Sequence, residues 1–234
     1  HSLLTRVTHG VDAVACILLA VTGVFVFVPS LGGGIMGGEF TQTMRMLHRV
    51  LAVPFILVPL FAVLKSPAGF VHLFKEDIFG KWDKDDVTWA MKFPFYLFAP
   101  GKVHMPPQHH VKSAQRLADG ALLFFCIMLA LSGIVLWLNT GFPTGSGLKV
   151  DFAPETLLLA HLVHDVFFFL TVFVGIAHIY LGAGIFQPYR GTARIMFGDG
   201  KVSESDAVYH WGYWANEEIA LGKNVTVEKD GKEK

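Results

Sequence analysis

The chain has 234 residues, of which 53% are hydrophobic and only 16% charged, and its formal net charge is zero. A soluble domain carries about 25% charged residues, so an ordinary soluble domain is excluded, and without a basic excess no nucleic-acid partner is expected. There are two cysteines, Cys16 and Cys126, both inside apolar runs, with no CxxCH and no Cys cluster able to hold an iron–sulfur centre. Any metal chemistry must therefore rest on histidine.

The sequence begins at His1 rather than methionine and is expected to be a trimmed form. Its first apolar run is too long and wrongly flanked for a simple cleaved signal peptide. The first predicted membrane helix covers about 8–28 and is closed by Pro29. A Gly-rich, weakly charged loop follows. The second covers about 46–64 and contains Pro54 and Pro59, which membrane helices tolerate. The third covers about 117–138. The fourth covers 157–186, LLLAHLVHDVFFFLTVFVGIAHIYLGAGIF, long enough to span with some tilt. The fold class is thus an all-α membrane protein, a four-helix transmembrane bundle over 1–186 with a polar tail over 187–234.

Orientation follows from the cations. The loop 65–116 carries Lys65, Lys75, Lys81, Lys84, Lys92, Lys102, Lys112 and Arg116, and the tail is also rich in Lys and Arg. The other two loops carry only Arg45 and Lys149. Lys and Arg accumulate on the cytoplasmic side, so both termini and the middle loop are placed inside in a multi-pass membrane protein. The middle loop is too long to be structureless. Its charges alternate with Trp82, Trp89, Phe93, Phe95, Tyr96 and Phe98, which predicts an amphipathic helix at the membrane surface. Trp211, Tyr213 and Trp214 are expected to anchor the tail at the interface or against a partner.

An internal echo recurs at an offset of 110. Arg6, Gly10, Cys16, Leu19, Ala20 and Gly23 return as Arg116, Gly120, Cys126, Leu129, Ala130 and Gly133, and LLAVTGVFVF is visibly like MLALSGIVLW. Helices one and three are related elements running the same way. Gly23 and Gly133 either allow close helix packing or leave room for a porphyrin face.

The histidines carry the chemistry. Polar groups at membrane depth are costly and functional by default. His164 and His178 are fourteen residues apart, about 40° short of four full turns, so they share one face and lie roughly 21 Å apart along the axis. On the predicted topology His48 matches His164 near the outer surface, and His9 matches His178 near the inner one. Two imidazoles from facing helices are the axial ligands of a b-type haem, and filling both axial positions suits electron transfer rather than oxygen binding. His161, one turn before His164, neighbours the outer pair with contact to a propionate or to solvent, and Asp165 caps or pairs near the outer surface. His72, His104, His109, His110 and His210 lie in polar segments and are expected at solvent or an interface. Arg6, Arg45 and Arg49 flank the haem edges, where they either neutralise propionates or snorkel to the membrane surface. A haem-free anchor or transporter is the alternative from another class.

These residues resemble the gamma subunit of membrane-bound formate dehydrogenases, a dihaem cytochrome b. The resemblance covers most of the chain. It rests on the His9 to His48 spacing, on His164 and His178, on HIYL at 178–181, and on GKVS at 200–203 followed by Ala207, His210, Trp214 and Glu217. It implies a bacterial inner membrane and two b-type haems, the outer held by His48 and His164 and the inner by His9 and His178. It also implies an iron–sulfur (beta) subunit, a molybdenum or tungsten catalytic (alpha) subunit that oxidises formate, and higher oligomers of the complex. The inner haem would reduce a quinone, menaquinone or ubiquinone. The family's quinone site uses the second nitrogen of one inner ligand with an Asn and a Gly before helix three. The corresponding residues here are His178, Lys112 and Ala114, so the Asn and Gly are absent, and Ser113 and Gln115 are the nearby polar alternatives. The cytochrome b of a nickel–iron hydrogenase or of a thiosulfate-type reductase is the runner-up in the same chemical class.

Overall fold

The computed structural model describes residues 1–33, 38–99, 101–143, 145, 147–182 and 192–225. Every long element among them is a helix. α1 is Leu3–Phe27, opened by Ser2, whose hydroxyl accepts the amide of Thr5 at 3.1 Å. A 3₁₀ turn, Pro29–Gly32, precedes α2, Gly38–Lys65. Pro54 and Pro59 lie inside α2 without ending it. α3 is Pro67–His72, followed by a π-helical turn, Leu73–Ile78. α4 is Lys84–Phe98, α5 is Ser113–Thr140 and α6 is Pro154–Gly182. The tail adds α7, Arg194–Phe197, α8, Glu204–His210, and α9, Gly212–Leu221.

Four helices are long and apolar enough to cross a membrane: α1, α2, α5 from Gln115, and α6, of 25, 28, 26 and 29 residues. At ~1.5 Å per residue each exceeds the ~30 Å hydrocarbon core. These helices start earlier than hydropathy predicts, by eight residues for α2, which opens at Gly38 rather than 46. Polar residues such as Glu39 and Arg49 satisfy a helix as well as apolar ones do, so apolar content marks the buried length and not the helical length. The predicted end of the fourth helix, 183–186, lies outside the described residues, as do 187–191 and 226–234 of the tail.

The chain forms two compact units. The first comprises His1–His72 and Ala118–Lys201, the second Leu73–Leu117 and Val202–Lys234. In the first unit the long helices are packed inside out relative to a water-soluble bundle. Their buried positions are small or hydroxylated, Ala15, Thr22, Thr41, Ser132, Ala160 and Thr171, while Leu57, Phe61, Leu158 and Phe173 point outward. Small residues let helix backbones approach, and outward apolar side chains meet lipid. Phe27 packs edge-on against Phe169, and Phe124 against Phe167, tying α1 and α5 to α6.

In the second unit α4 is opened by a capping box. The Asp83 carboxylate accepts the Asp86 amide at 2.8 Å, and the Asp86 carboxylate accepts the Asp83 amide at 3.1 Å. Two orphan amides are satisfied reciprocally. The predicted amphipathic helix of the middle loop corresponds to α4. Tyr96 of α4 meets Tyr209 of α8 hydroxyl to hydroxyl at 2.9 Å. Tyr213 of α9 donates its hydroxyl to Asp85 at 2.6 Å and its amide to the Gln108 carbonyl at 3.1 Å. The tail from Glu204 to Leu221 is therefore a pair of helices packed within this unit.

Candidate functional site

The four histidines singled out by spacing meet in the first unit as two pairs. His48 of α2 and His164 of α6 have ring centres 6.2 Å apart, and His9 of α1 and His178 of α6 also have ring centres 6.2 Å apart. α6 contributes to both pairs because fourteen residues return nearly the same face. Two rings bound through one nitrogen each to a metal between them, at about 2.0–2.1 Å per bond, would have centres about 6.3 Å apart.

Hydrogen bonding orients the outer pair. Thr22 of α1 places its hydroxyl 2.9 Å from His48 Nδ1, and Ser132 of α5 places its hydroxyl 3.0 Å from His164 Nδ1. Each hydroxyl has one hydrogen, and each lies within donating range of its own helix's carbonyls: Thr22 to Leu18 at 2.9 Å, Ser132 to Met128 at 2.7 Å. With those hydrogens committed, the hydroxyl oxygens accept, so each imidazole donates from Nδ1 and keeps its Nε2 lone pair. Metal ligation through Nε2 requires that tautomer, and outer-shell partners of this kind fix it.

Glycine clears the space beside these rings. A Cβ on Gly23 would stand 3.4 Å from His48 Cε1, and one on Gly133 would stand 3.3 Å from His164 Cε1. Thr22–Gly23 and Ser132–Gly133 occupy equivalent places in the 110-residue echo. The glycines thus let an imidazole of a neighbouring helix come close to the helix backbone. The hydroxyls are candidate site residues that histidine spacing could not single out. The signal for them lay in the matching TG and SG of the two echoed phrases.

The inner pair is built differently. His9 Nδ1 is buried without a hydrogen-bond partner, as is Asp12 Oδ1 one turn along α1. On the other side, Asp119 Oδ1 of α5 stands 3.8 Å from His178 Nδ1, within ion-pair range but too far for a hydrogen bond. Phe197 of α7 packs edge-on to His9 at 5.3 Å. Arg6 donates to the Gly198 carbonyl, and Arg49 to the Thr140 hydroxyl at 2.9 Å. His161 is exposed, in keeping with a neighbour's place rather than a ligand's.

Among the described residues no group of three or more His, Cys, Asp or Glu gathers around a common point. A pair of facing imidazoles is instead the donor set for an iron that brings its own equatorial ligands, as haem does. Both pairs fit that group in spacing, and the outer pair fits it also in tautomer and in the clearance left by glycine. Over residues 1–199 the chain matches the family described as prokaryotic cytochrome b561. The chain belongs to the prokaryotic cytochrome b561 family. No curated protein matches it. Members of the cytochrome b561 family bind b-type haem in the membrane. This chain is accordingly a multi-pass membrane cytochrome of the b type, an electron-transfer protein.

The candidate quinone residues lie in the second unit. Lys112 is buried, with Nζ 3.1 Å from His210 Nδ1 and 4.4 Å from the centre of the Trp211 ring. Burial pushes its pKa down to about 7. His210, expected at solvent or an interface, is buried as well. Ser113 is wholly enclosed, and its hydroxyl lies 2.8 Å from Asp86 and 3.1 Å from the Gln108 side-chain oxygen. Ala114 and Gln115 continue the first turn of α5. Lys112 is therefore more than a boundary cation, since it sits inside a polar cluster drawn from α4, α8 and the segment before α5. His178, which the resemblance joins to this set, belongs to the first unit.

Proposed function

We propose that this cytochrome carries two b-type haems, one between His48 and His164 and one between His9 and His178, and passes electrons through them to a quinone. One observation carries the reading: two imidazole pairs at the same 6.2 Å spacing, both anchored on α6. Bound haem supplies the one-electron chemistry. The chain's own part is to hold the rings, fix the outer tautomers through Thr22 and Ser132, and keep the slots apolar.

The complex we infer is a formate dehydrogenase, in which an iron–sulfur subunit feeds the outer pair and a molybdenum or tungsten subunit oxidises formate. The tail motif from Gly200 to Glu217 favours this partner over a nickel–iron hydrogenase or a thiosulfate-type reductase. That stretch lies beyond the residues matched by the family. Both termini face the cytoplasm in this reading. The quinone is reduced on the same side, with the Lys112, Ser113, Ala114 and Gln115 segment as its candidate contacts. Formate oxidation outside and quinone reduction inside would together build a proton gradient. A quinone-site inhibitor that perturbs the outer haem instead of the inner would argue against this arrangement.

The test is haem stoichiometry in the purified complex together with the identity of the subunits that accompany the chain. Two haems per chain are expected, and His164→Ala and His178→Ala should each remove one. A preparation with no b-type band in its reduced-minus-oxidised spectrum would end the proposal.

A further inference from the structure

The 110-residue echo relates α1 to α5 at two levels. At the outer level the equivalents are Thr22–Gly23 and Ser132–Gly133, and both do the same work, one hydroxyl per ligand ring. Thirteen residues earlier on each helix the equivalents are His9 and Asp119. Here the symmetry breaks. His9 faces His178 across the pair, while Asp119 approaches the same His178 from its Nδ1 side at 3.8 Å. The outer ligands have neutral hydroxyls at their second nitrogens, and His178 has a carboxylate near its own.

We propose that Asp119 is a positioning residue for the inner haem, acting through His178 to lower the potential of that haem alone. The inference rests on the two-haem reading above. A carboxylate near the second nitrogen makes an imidazole a more basic ligand. It also favours the oxidised iron, which carries one more positive charge than the reduced form, and both effects move the potential down. Other charges stand nearby. Arg6 and Asp12 flank His9 on α1, Arg49 follows His48 on α2, and Asp165 follows His164 on α6. Each is unchanged when Asp119 alone is replaced, so their contributions cancel in the comparison.

The experiment is a spectroelectrochemical titration of the intact complex. The haem missing in His178→Ala identifies the inner midpoint. Asp119→Asn should raise that midpoint and leave the outer one in place, whereas Asp119→Glu, which keeps the charge, should stay close to the wild type. Ser132→Ala should move only the outer midpoint. The proposal is overturned if Asp119→Asn leaves the inner midpoint unchanged, if both midpoints move equally, or if Asp119→Glu moves it as far as Asp119→Asn. Should Asp119→Asn lose the inner haem, the comparison passes to Asp119→Ser and Asp119→Glu, and equal midpoints in those two overturn it. Failure of His178→Ala to remove a haem would instead break the ligand assignment, so the two failures are distinguishable.

Discussion

Gly133→Leu is the sharpest perturbation of the outer pair. Even the Cβ of an alanine at 133 would stand 3.3 Å from His164 Cε1 and 3.7 Å from Nδ1. The ring would have to yield by a few tenths of an ångström against the 3.0 Å hydrogen bond that Ser132 makes with it. Alanine gains up to about 1 kcal/mol of helix propensity over glycine, which offsets much of that crowding. Leucine adds three further heavy atoms in a gap already filled by the ring, and overpacking of this kind costs about 1–3 kcal/mol. At the upper end that is roughly a hundredfold in haem affinity, and a ring swung off its axis loses the ligand bond outright. Gly133→Leu should therefore purify with one haem in place of two, by pyridine haemochrome assay. Gly133→Ala should keep both. Phe173→Leu on α6 is the control, because Phe173 points outward on the helix face opposite His164. Retention of two haems with a wild-type band in Gly133→Leu, or an equal loss in Phe173→Leu, would refute the reasoning.

Ser132→Ala removes a ligand's outer-shell partner and should weaken outer-haem binding by about 10- to 100-fold, measured by haem transfer to a soluble acceptor protein. Lys112 predicts a pH effect in the second unit. Its folded pKa of about 7 lies below the ordinary 10.5, so between those values the unfolded segment holds a proton that the folded one lacks. Stability in that window rises with pH by up to about 1.4 kcal/mol per unit. Hydrogen exchange at the Ser113 amide should show an opening free energy that grows from pH 7 to 9, and Lys112→Met should flatten the slope. Asp83→Ala removes the helix cap of α4 at about 1 kcal/mol, so protection of the Asp86 amide should fall about fivefold while the α6 amides are unaffected.

Much of the architecture is legible along the chain because a membrane leaves so few options. Backbone groups in lipid must be satisfied internally, so an apolar run of the right length is a helix, and over the described residues all four runs are helical through nearly their whole length. The helical repeat puts His164 and His178 on one face without reference to any neighbour. Matching depth then narrows their partners to His48 and His9, and the structure seats those rings opposite them. Tertiary structure decided what lies behind the rings. Nothing in the local sequence says that Thr22 and Ser132 turn toward imidazoles rather than bonding only to their own helices, because a hydroxyl's partner depends on how neighbouring helices are rotated. Asp119 acquires its place beside His178 in the same way. The polar segments are legible least of all. Lys112 and His210 are far apart in sequence, and both carry the composition of surface residues. Only the packing of α8 and α9 within the second unit buries them together, since burial of a polar pair is a property of the assembled unit and leaves no periodic trace in the chain.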